Sequence, residues 1–297
     1  MRADFVIGID LGGTKVAAAA FAMDGARLGK VARLPTMARM RRAVTLMNIR
    51  RVVKQAKIEA GVEGPPYVVG MGSSGPLDLK NQIICDEDSL PNLAGFDMGA
   101  FCRREIGAPL ALENDAACFT LGEAMRGAGL GHDSVLGVTL GTGFGCGIVI
   151  QGKVYSGATN NAGEVAYCRV GSLTYDEVGS GERVEDLYKS SRGGGSHAPT
   201  AREIGDLAES GDRDALGAWQ AYGQGVGTAI GAVCSVLDPS VVVIGGSVAK
   251  RLNLFGSALA ASARQVLLGA AADRFDVQPS ALGDAAGVTG AAALALM

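Results

Sequence analysis

Two glycine hairpins resemble each other across the chain. Ile7-Gly8-Ile9-Asp10-Leu11-Gly12-Gly13-Thr14 aligns with Leu136-Gly137-Val138-Thr139-Leu140-Gly141-Thr142-Gly143 at an offset of 129 residues. Each is an aliphatic strand, a Leu-Gly step, a small Gly/Thr turn and a second strand, Val16 to Phe21 in one and Gly147 to Ile150 in the other. Glycine permits positive φ and lets backbone approach a ligand closely. A tight turn of this kind aims several N–H groups at one spot, and such a nest binds phosphate oxygens. One such turn in each half predicts a polyphosphate held by two related α/β domains.

The rest of the chain fits two domains and narrows the function classes. Its 297 residues are more than one core of ordinary size needs. The net charge of −3 gives no reason to expect nucleic acid. The cysteines at 85, 102, 118, 146, 168 and 234 include no C-x-x-C pair, so a reducing, cytoplasmic setting is expected rather than a disulfide framework. The chain enters a strand by Phe5 without a signal-like segment, and no stretch approaches the ~20 apolar residues of a membrane span.

Further along, Leu28 to Leu34 reads as a third strand and Ala38 to Ala60 as a helix. That helix is the most basic segment, with Arg39, Arg41, Arg42, Arg50, Arg51, Lys54 and Lys57, and its ordinary reading is a solvated face. Tyr67 to Met71 and Leu110 to Leu112 read as strands, with a helix from about Ala116 to Met125. Gly193-Gly194-Gly195-Ser196 reads as a surface loop. Helices follow at about 200–209, 213–236, 253–268 and 287–296, and Val241 to Ile244 is a buried strand by pattern. Strand–loop–helix alternation of this sort makes α/β domains, whose ligands gather at the carboxyl ends of strands.

Four strand ends stand out. Asp10 ends a buried strand before Gly12-Gly13-Thr14-Lys15, and a buried carboxylate calls for a cation or water network. Gly141-Thr142-Gly143 is neither a Walker A loop nor a dinucleotide fingerprint, since no Lys-Ser or Lys-Thr follows it and it leads into a strand. Glu113-Asn114-Asp115 runs into a helix start. There Asp115 is either an N-cap or a carboxylate kept anionic by the helix dipole and fit to accept a proton. Gly245-Gly246-Ser247 is either a plain turn or a bare backbone on which an adenine ring can lie.

Together these motifs resemble the ROK sugar kinases of the actin/hexokinase/Hsp70 ATPase superfamily, over Val6 to about Leu294. Gly8 to Lys15 is similar to the first phosphate motif, Leu140 to Gly145 to the second, and Val243 to Ser247 to the adenosine motif. Leu112 to Ala116 is similar to the stretch holding the catalytic base, and Gly287 to Ala292 to the closing helix. The resemblance implies two ribonuclease H-like domains meeting at a cleft. They would be residues 1–115, with a final helix of about 286–297 packing back, and 116–285. It implies ATP-dependent phosphorylation of a sugar hydroxyl, on a hexose such as glucose or an N-acetylhexosamine. ATP would be held by Gly12, Gly13, Thr14, Lys15, Gly141, Thr142, Gly143, Gly245, Gly246 and Ser247. Asp10 would act on Mg²⁺ through water, with Asp115 as base.

The sugar site carries over in part. Leu90-Pro91-Asn92-Leu93 resembles the loop whose Asn meets sugar hydroxyls, and Glu113, Asn114 and Asp115 continue the site. Ala162-Gly163-Glu164 resembles the segment whose Glu grips the anomeric end. Where the family has Gly-His after that Glu, this chain has Ala166-Tyr167. Tyr167 either reshapes the sugar wall or has turned into the core. The family's cysteine-rich zinc loop is missing, so no zinc site is expected. The second sugar-binding Glu maps to Asp176, with Glu177 one step away. The resemblance further implies a homodimer. The alternative function is a sugar- or nucleotide-binding regulator without turnover; the DNA-binding segment of the family's repressors is not expected, as the first motif starts at Ile7.

Overall fold

Aliphatic runs separated by glycine turns build two mixed sheets. The structure, a computed structural model, describes residues 4–193 and 199–297, so Gly194, Gly195 and Ser196 of the glycine-rich loop lie outside the described residues. In chain order the main elements are β1 (Phe5–Leu11), β2 (Lys15–Ala22), β3 (Arg27–Pro35), α1 (Arg42–Ala60), β4 (Val69–Ser73), β5 (Leu110–Asn114) and α2 (Asp115–Arg126). Then come β6 (Ser134–Leu140), β7 (Phe144–Ile150), β8 (Lys153–Val154), α3 (Gly181–Ser191), α4 (Arg213–Leu237), β9 (Val241–Gly245), α5 (Leu252–Val266), β10 (Val277–Pro279) and α6 (Ala286–Ala295). The sheet orders are β3-β2-β1-β4-β5 and β8-β7-β6-β9-β10. The hairpin strands of the two halves keep the offset of the sequence repeat: Phe5–Leu11 maps onto Ser134–Leu140, and Lys15 onto Phe144.

Two compact units result. One comprises Met1–Gly131, Gly147–Asn160 and Ala281–Met297; the other comprises His132–Cys146 and Asn161–Ser280. In the first, β1 runs antiparallel to β2 and parallel to β4, and β4 runs parallel to β5. Strand β2 reads Lys-Val-Ala-Ala-Ala-Ala-Phe-Ala, a helix-forming composition. Packing overrides that propensity. Ala18 and Ala20 face a core that includes Ile49, Val52 and Ala56 of α1, while Ala17, Ala19 and Phe21 face Val288, Ala292 and Ala295 of α6. Helix α1 starts at Arg42 rather than at Ala38, because Met37 sits at φ 62° and Arg41 is extended.

Helix α6 is seated on bare backbone. A Cβ on Gly8 would stand 2.0 Å from the Val288 carbonyl oxygen, and one on Gly70 would stand 1.7 Å from that of Ala291. A Cβ on Gly290 would stand 1.7 Å from the Cys118 carbonyl oxygen, and one on Gly122 would stand 2.3 Å from that of Ala286. The entry to α6 is fixed by Glu123 of α2, which is fully buried. Its carboxylate accepts the N–H groups of Ala128 (2.8 Å), Ala281 (3.1 Å) and Leu282 (3.0 Å). This carboxylate carries no signal in the sequence, since two of its partners lie 158 and 159 residues away.

In the second unit β6, β9 and β10 run parallel. Gly223, Gly227 and Gly231 open one face of α4 to the backbone of α5, with would-be Cβ atoms 2.5, 2.2 and 2.9 Å from the Phe255, Leu259 and Ala263 oxygens. Trp219, Tyr222 and Phe255 stack beside them, and the Tyr222 hydroxyl donates to the Gly179 carbonyl at 2.8 Å. Helix α3 has no counterpart in the sequence reading.

Candidate active site

In the first unit, Asp10 lies at the end of β1, opposite Gly72 of β4 and Ala17 of β2. Gly287, in the first turn of α6, comes so close that a Cβ there would stand 2.9 Å from the Asp10 carboxyl carbon. Burial pushes the Asp10 carboxyl above its ordinary pKa; Lys15 and Arg33 oppose that rise and Asp284 adds to it. The α6 N-terminus favours the charged form.

The turn after Asp10 is built by close approach rather than by left-handed backbone, since neither Gly12 nor Gly13 has positive φ. A Cβ on Gly13 would stand 2.8 Å from the Ser89 carbonyl oxygen. The Gly12 N–H donates to the Lys15 carbonyl at 3.0 Å. The N–H groups of Gly13 and Thr14 have no partner among the described residues. Buried Thr36 straps the turn, its hydroxyl donating to the Gly12 carbonyl at 2.6 Å and its N–H to that of Thr14 at 3.0 Å. Sequence reasoning missed Thr36, because a strand-end threonine has many ordinary uses.

Asn114, not Asp115, caps α2: its side chain accepts the N–H groups of Ala116 (2.8 Å) and Ala117 (3.2 Å). Asp115 is the first residue of the helix, and its Oδ1 also accepts the Ala116 N–H at 2.8 Å. Glu113 is 8% exposed and accepts from the Asn114 N–H at 2.8 Å and the Ser156 hydroxyl at 3.1 Å. Its burial raises its pKa, and both bonds oppose the rise. Gly72 lies between the two aspartates: it pairs with Asp10, and its would-be Cβ stands 3.4 Å from the Asp115 Cα. The buried Cys118 thiol, pushed far up by burial, feels Glu113, Asp10 and Asp115 together.

Asn92 stands on a loop of the same unit. Its Nδ2 donates to the carbonyls of Met37 (3.3 Å) and Met40 (3.0 Å) and to the Thr45 hydroxyl (2.8 Å). Its Oδ1 is buried and has no partner, an acceptor waiting for a donor.

In the second unit the turn after β6 repeats the pattern of the first. The Gly141 N–H folds back onto the Gly143 carbonyl at 3.1 Å, and the N–H groups of Thr142 and Gly143 have no partner among the described residues. Asp176 braces this turn, accepting the Phe144 N–H at 3.0 Å; a Cβ on Gly143 would stand 1.8 Å from its carboxylate. Glu177 closes a capping box with Thr174, and the two bonds from Thr174 hold its carboxyl below the ordinary range.

Gly245-Gly246-Ser247 meets the same turn. Gly246 has φ 96°, and a Cβ there would stand 2.2 Å from the Leu140 carbonyl oxygen. A Cβ on Gly141 would stand 3.4 Å from the Ser247 hydroxyl. Here only glycine fits both the backbone and the space. Glu164 is exposed, and partial desolvation of its carboxyl pushes its pKa up. Tyr167 is 85% exposed, which removes the reading of it as core packing.

A magnesium ion arriving with polyphosphate needs only one or two protein carboxylates. Asp10 places one carboxylate at the end of β1, shortly before the Gly12-Gly13-Thr14 turn. Among the described residues no group of three His, Cys, Asp or Glu side chains is placed to hold a metal. No described helix is long and apolar enough to cross a membrane.

The ROK family profile matches residues 6–297. A glucokinase of Thermotoga maritima is 28% identical over 310 residues, covering 97% of this chain and 96% of that protein. An N-acetyl-D-glucosamine kinase of Haemophilus influenzae is 30% identical over 315 residues, covering 97% and 98%. A ROK family glucokinase from Streptomyces griseus, solved in complex with glucose and AMPPNP, is 27% identical with a TM-score of 0.80, covering 98% of this chain and 99% of that one. With a glycine turn at a strand end of each of two five-stranded sheets, and a family match over residues 6–297, the chain belongs to the ROK family.

Proposed function

We propose that the chain transfers the terminal phosphoryl group of ATP to a hydroxyl of a hexose such as glucose or of an N-acetylhexosamine. The observation that carries this reading is the matched pair of turns. In each, the first glycine N–H is folded back and the next two N–H groups are left without partners, at Gly13 and Thr14 and at Thr142 and Gly143. Each nest suits phosphate oxygens. The curated relatives named glucokinase and N-acetyl-D-glucosamine kinase, and the relative solved with glucose and AMPPNP, support the same substrates.

In this reading the residues divide the work. Gly12, Gly13, Thr14 and Lys15 bind phosphate in the first unit; Gly141, Thr142 and Gly143 bind it in the second. Gly245, Gly246 and Ser247 leave room for the adenosine. Asp10 would hold Mg²⁺ through water, and that ion would neutralise phosphate charge. Asp115 accepts the proton of the attacking hydroxyl as it loses its bond to hydrogen. Asp115 stands in the first turn of α2, where the helix dipole favours an anion, and the cap itself is supplied by Asn114.

Asn92 offers its unpartnered Oδ1 to a sugar hydroxyl, and Glu164 and Tyr167 stand for the anomeric end. Glu113 and Asn114 serve by holding Asp115 in place. Asp176 and Glu177 are the two alternatives for the remaining acidic contact, and Asp176 also braces the second turn. We further propose a homodimer in the cytoplasm, with residues 1–115 and 286–297 as one domain and 116–285 as the other.

A panel of hexoses, N-acetylhexosamines and ketoses, incubated with ATP and Mg²⁺ and read by ADP release, tests the proposal. Sugar-dependent release with a glucose or N-acetylglucosamine type sugar is the expected result. Sugar binding in calorimetry without any ADP release would instead establish the non-catalytic regulator, whose supporting observation is an exposed phenol at 167 in place of the family's imidazole.

A further inference from the structure

Helix α1 breaks the usual rules of helix electrostatics. Residues 38–58 contain seven arginines and lysines and no acidic residue, in a chain of net charge −3. The helix opens on Arg41 and Arg42, at the end where the dipole disfavours cations. Arg50, Lys54 and Lys57 follow at spacings of four and three, which stacks like charges on one face. Arg42 is answered by the Asn92 carbonyl at 2.7 Å and by the Phe96 ring, but the like charges farther along α1 are only partly relieved, and such a conflict marks a site where something other than stability is served.

The face is concave. A cavity of about 470 Å³ lies between α1 and the turn at Glu105 and Ile106, with Arg50, Arg51, Lys54 and Lys57 along its wall. Arg50 pairs with Glu105 at 3.0 Å, and Lys57 donates to the Gly64 carbonyl. Arg51 and Lys54, both exposed, make no hydrogen bond or ion pair among the described residues. Met47, Val53 and Ile106 give the cavity an apolar floor. None of its lining residues belongs to the candidate active site.

We propose that this groove is a second ligand site, for a small anion bearing several phosphate charges. Arginine forks and lysine ammoniums are the donors that phosphate oxygens select. The volume falls in the small-molecule range of about 300–1,000 Å³, too small for a helix or a duplex. Bound there, the anion relieves the repulsion along α1.

Inorganic tripolyphosphate is the probe, titrated calorimetrically into the protein with and without a saturating non-hydrolysable ATP analogue. The expected result is one binding event that survives the analogue and weakens with salt. Arg51→Gln/Lys54→Gln should weaken it by roughly 10-fold or more, since both unpartnered cations are lost while helix propensity is kept. Arg39→Gln/Arg41→Gln, outside the groove, should leave the affinity unchanged. Absence of this event at millimolar tripolyphosphate, or its indifference to Arg51→Gln/Lys54→Gln, overturns the proposal. Equal weakening by both double variants overturns it as diffuse charge attraction. Tighter binding of a single-stranded oligonucleotide through Arg51 and Lys54 overturns the assignment to a small anion. The titration does not depend on turnover, so the site stands or falls apart from the kinase reading.

Discussion

Adding one methyl group to α6 tests how the fold holds the candidate metal ligand. In Gly290→Ala the new Cβ would stand 1.7 Å from the Cys118 carbonyl oxygen and 2.7 Å from the Gly122 nitrogen, both backbone atoms that no rotamer change can move. Real Cβ atoms essentially never come within 3.0 Å, so α6 must retreat by about 1.3 Å. Overpacking a closed interface costs about 1–3 kcal/mol, and backbone contacts lie at the upper end. The better helix propensity of alanine returns about 1 kcal/mol. The net expectation is about 2 kcal/mol of lost stability, or roughly 4–8 °C in Tm for a chain of this size class.

The retreat also moves Gly287, which backs the Asp10 carboxylate, and misplacement on the order of 1 Å costs about 10²-fold in rate. Circular dichroism melting and the ADP-release assay measure the two effects. Gly217→Ala is the control: nothing lies within 4 Å of its would-be Cβ on α4, so it should gain up to about 1 kcal/mol. If Gly290→Ala melts as high as Gly217→Ala and keeps its rate, α6 is not tightly seated and the reasoning fails.

Asp115→Asn should leave nucleotide affinity and folding nearly intact and cut turnover by roughly 10²–10⁴-fold; a loss under threefold would make Asp115 only a helix-start residue. Glu123→Ala strips three N–H groups of their acceptor and should cost about 3–5 kcal/mol in urea unfolding, against a change under about 0.5 kcal/mol if water replaces the carboxylate. Asp10, Glu113 and Glu164 all have raised pKa values, so the folded state binds their protons more tightly than the unfolded state. Stability then falls as pH rises from the ordinary carboxylate value through each raised one. The ligand-free Tm should fall as pH rises above the ordinary carboxylate value, and Glu113→Gln should flatten that slope. Metal analysis of protein purified without added zinc should find well under one zinc per chain, and stoichiometric zinc surviving dialysis would contradict the sequence reading of this loop.

The hairpins were legible because they need residues that little else needs. A strand buried on both faces must be aliphatic, and a turn pressed against Ser89 or Asp176 must be glycine. The reason for the glycines was only half legible: spacing shows that the backbone is bare, not whether φ or a neighbour demands it. The N-cap alternative left open for Asp115 falls on Asn114, since Asn and Asp are both good caps and only the fold shows which side chain turns back. Thr36 and Glu123 were illegible for a different reason: except for Ala128, five residues from Glu123, their partners are supplied by chain 22 to 159 residues away. Helix α3, Gly-Glu-Arg-Val-Glu-Asp-Leu-Tyr-Lys-Ser-Ser, buries only Val184 and Tyr188, too few apolar positions for its period to show.

The seating of α6 has a consequence for how the chain is made. Its sequence, Ala-Gly-Val-Thr-Gly-Ala-Ala-Ala-Leu-Ala, carries two glycines and two β-branched residues in ten and is too short to hold a helix alone. It becomes helical by docking on Gly8, Gly70 and Gly122, which are translated far earlier. A chain lacking residues 281–297 therefore has every residue of the second unit, while the first lacks one layer and exposes Val6, Ala17, Ala19 and Phe21. The unit that begins first is finished last, and a chain cut after residue 280 would keep all of the second unit and leave the first open.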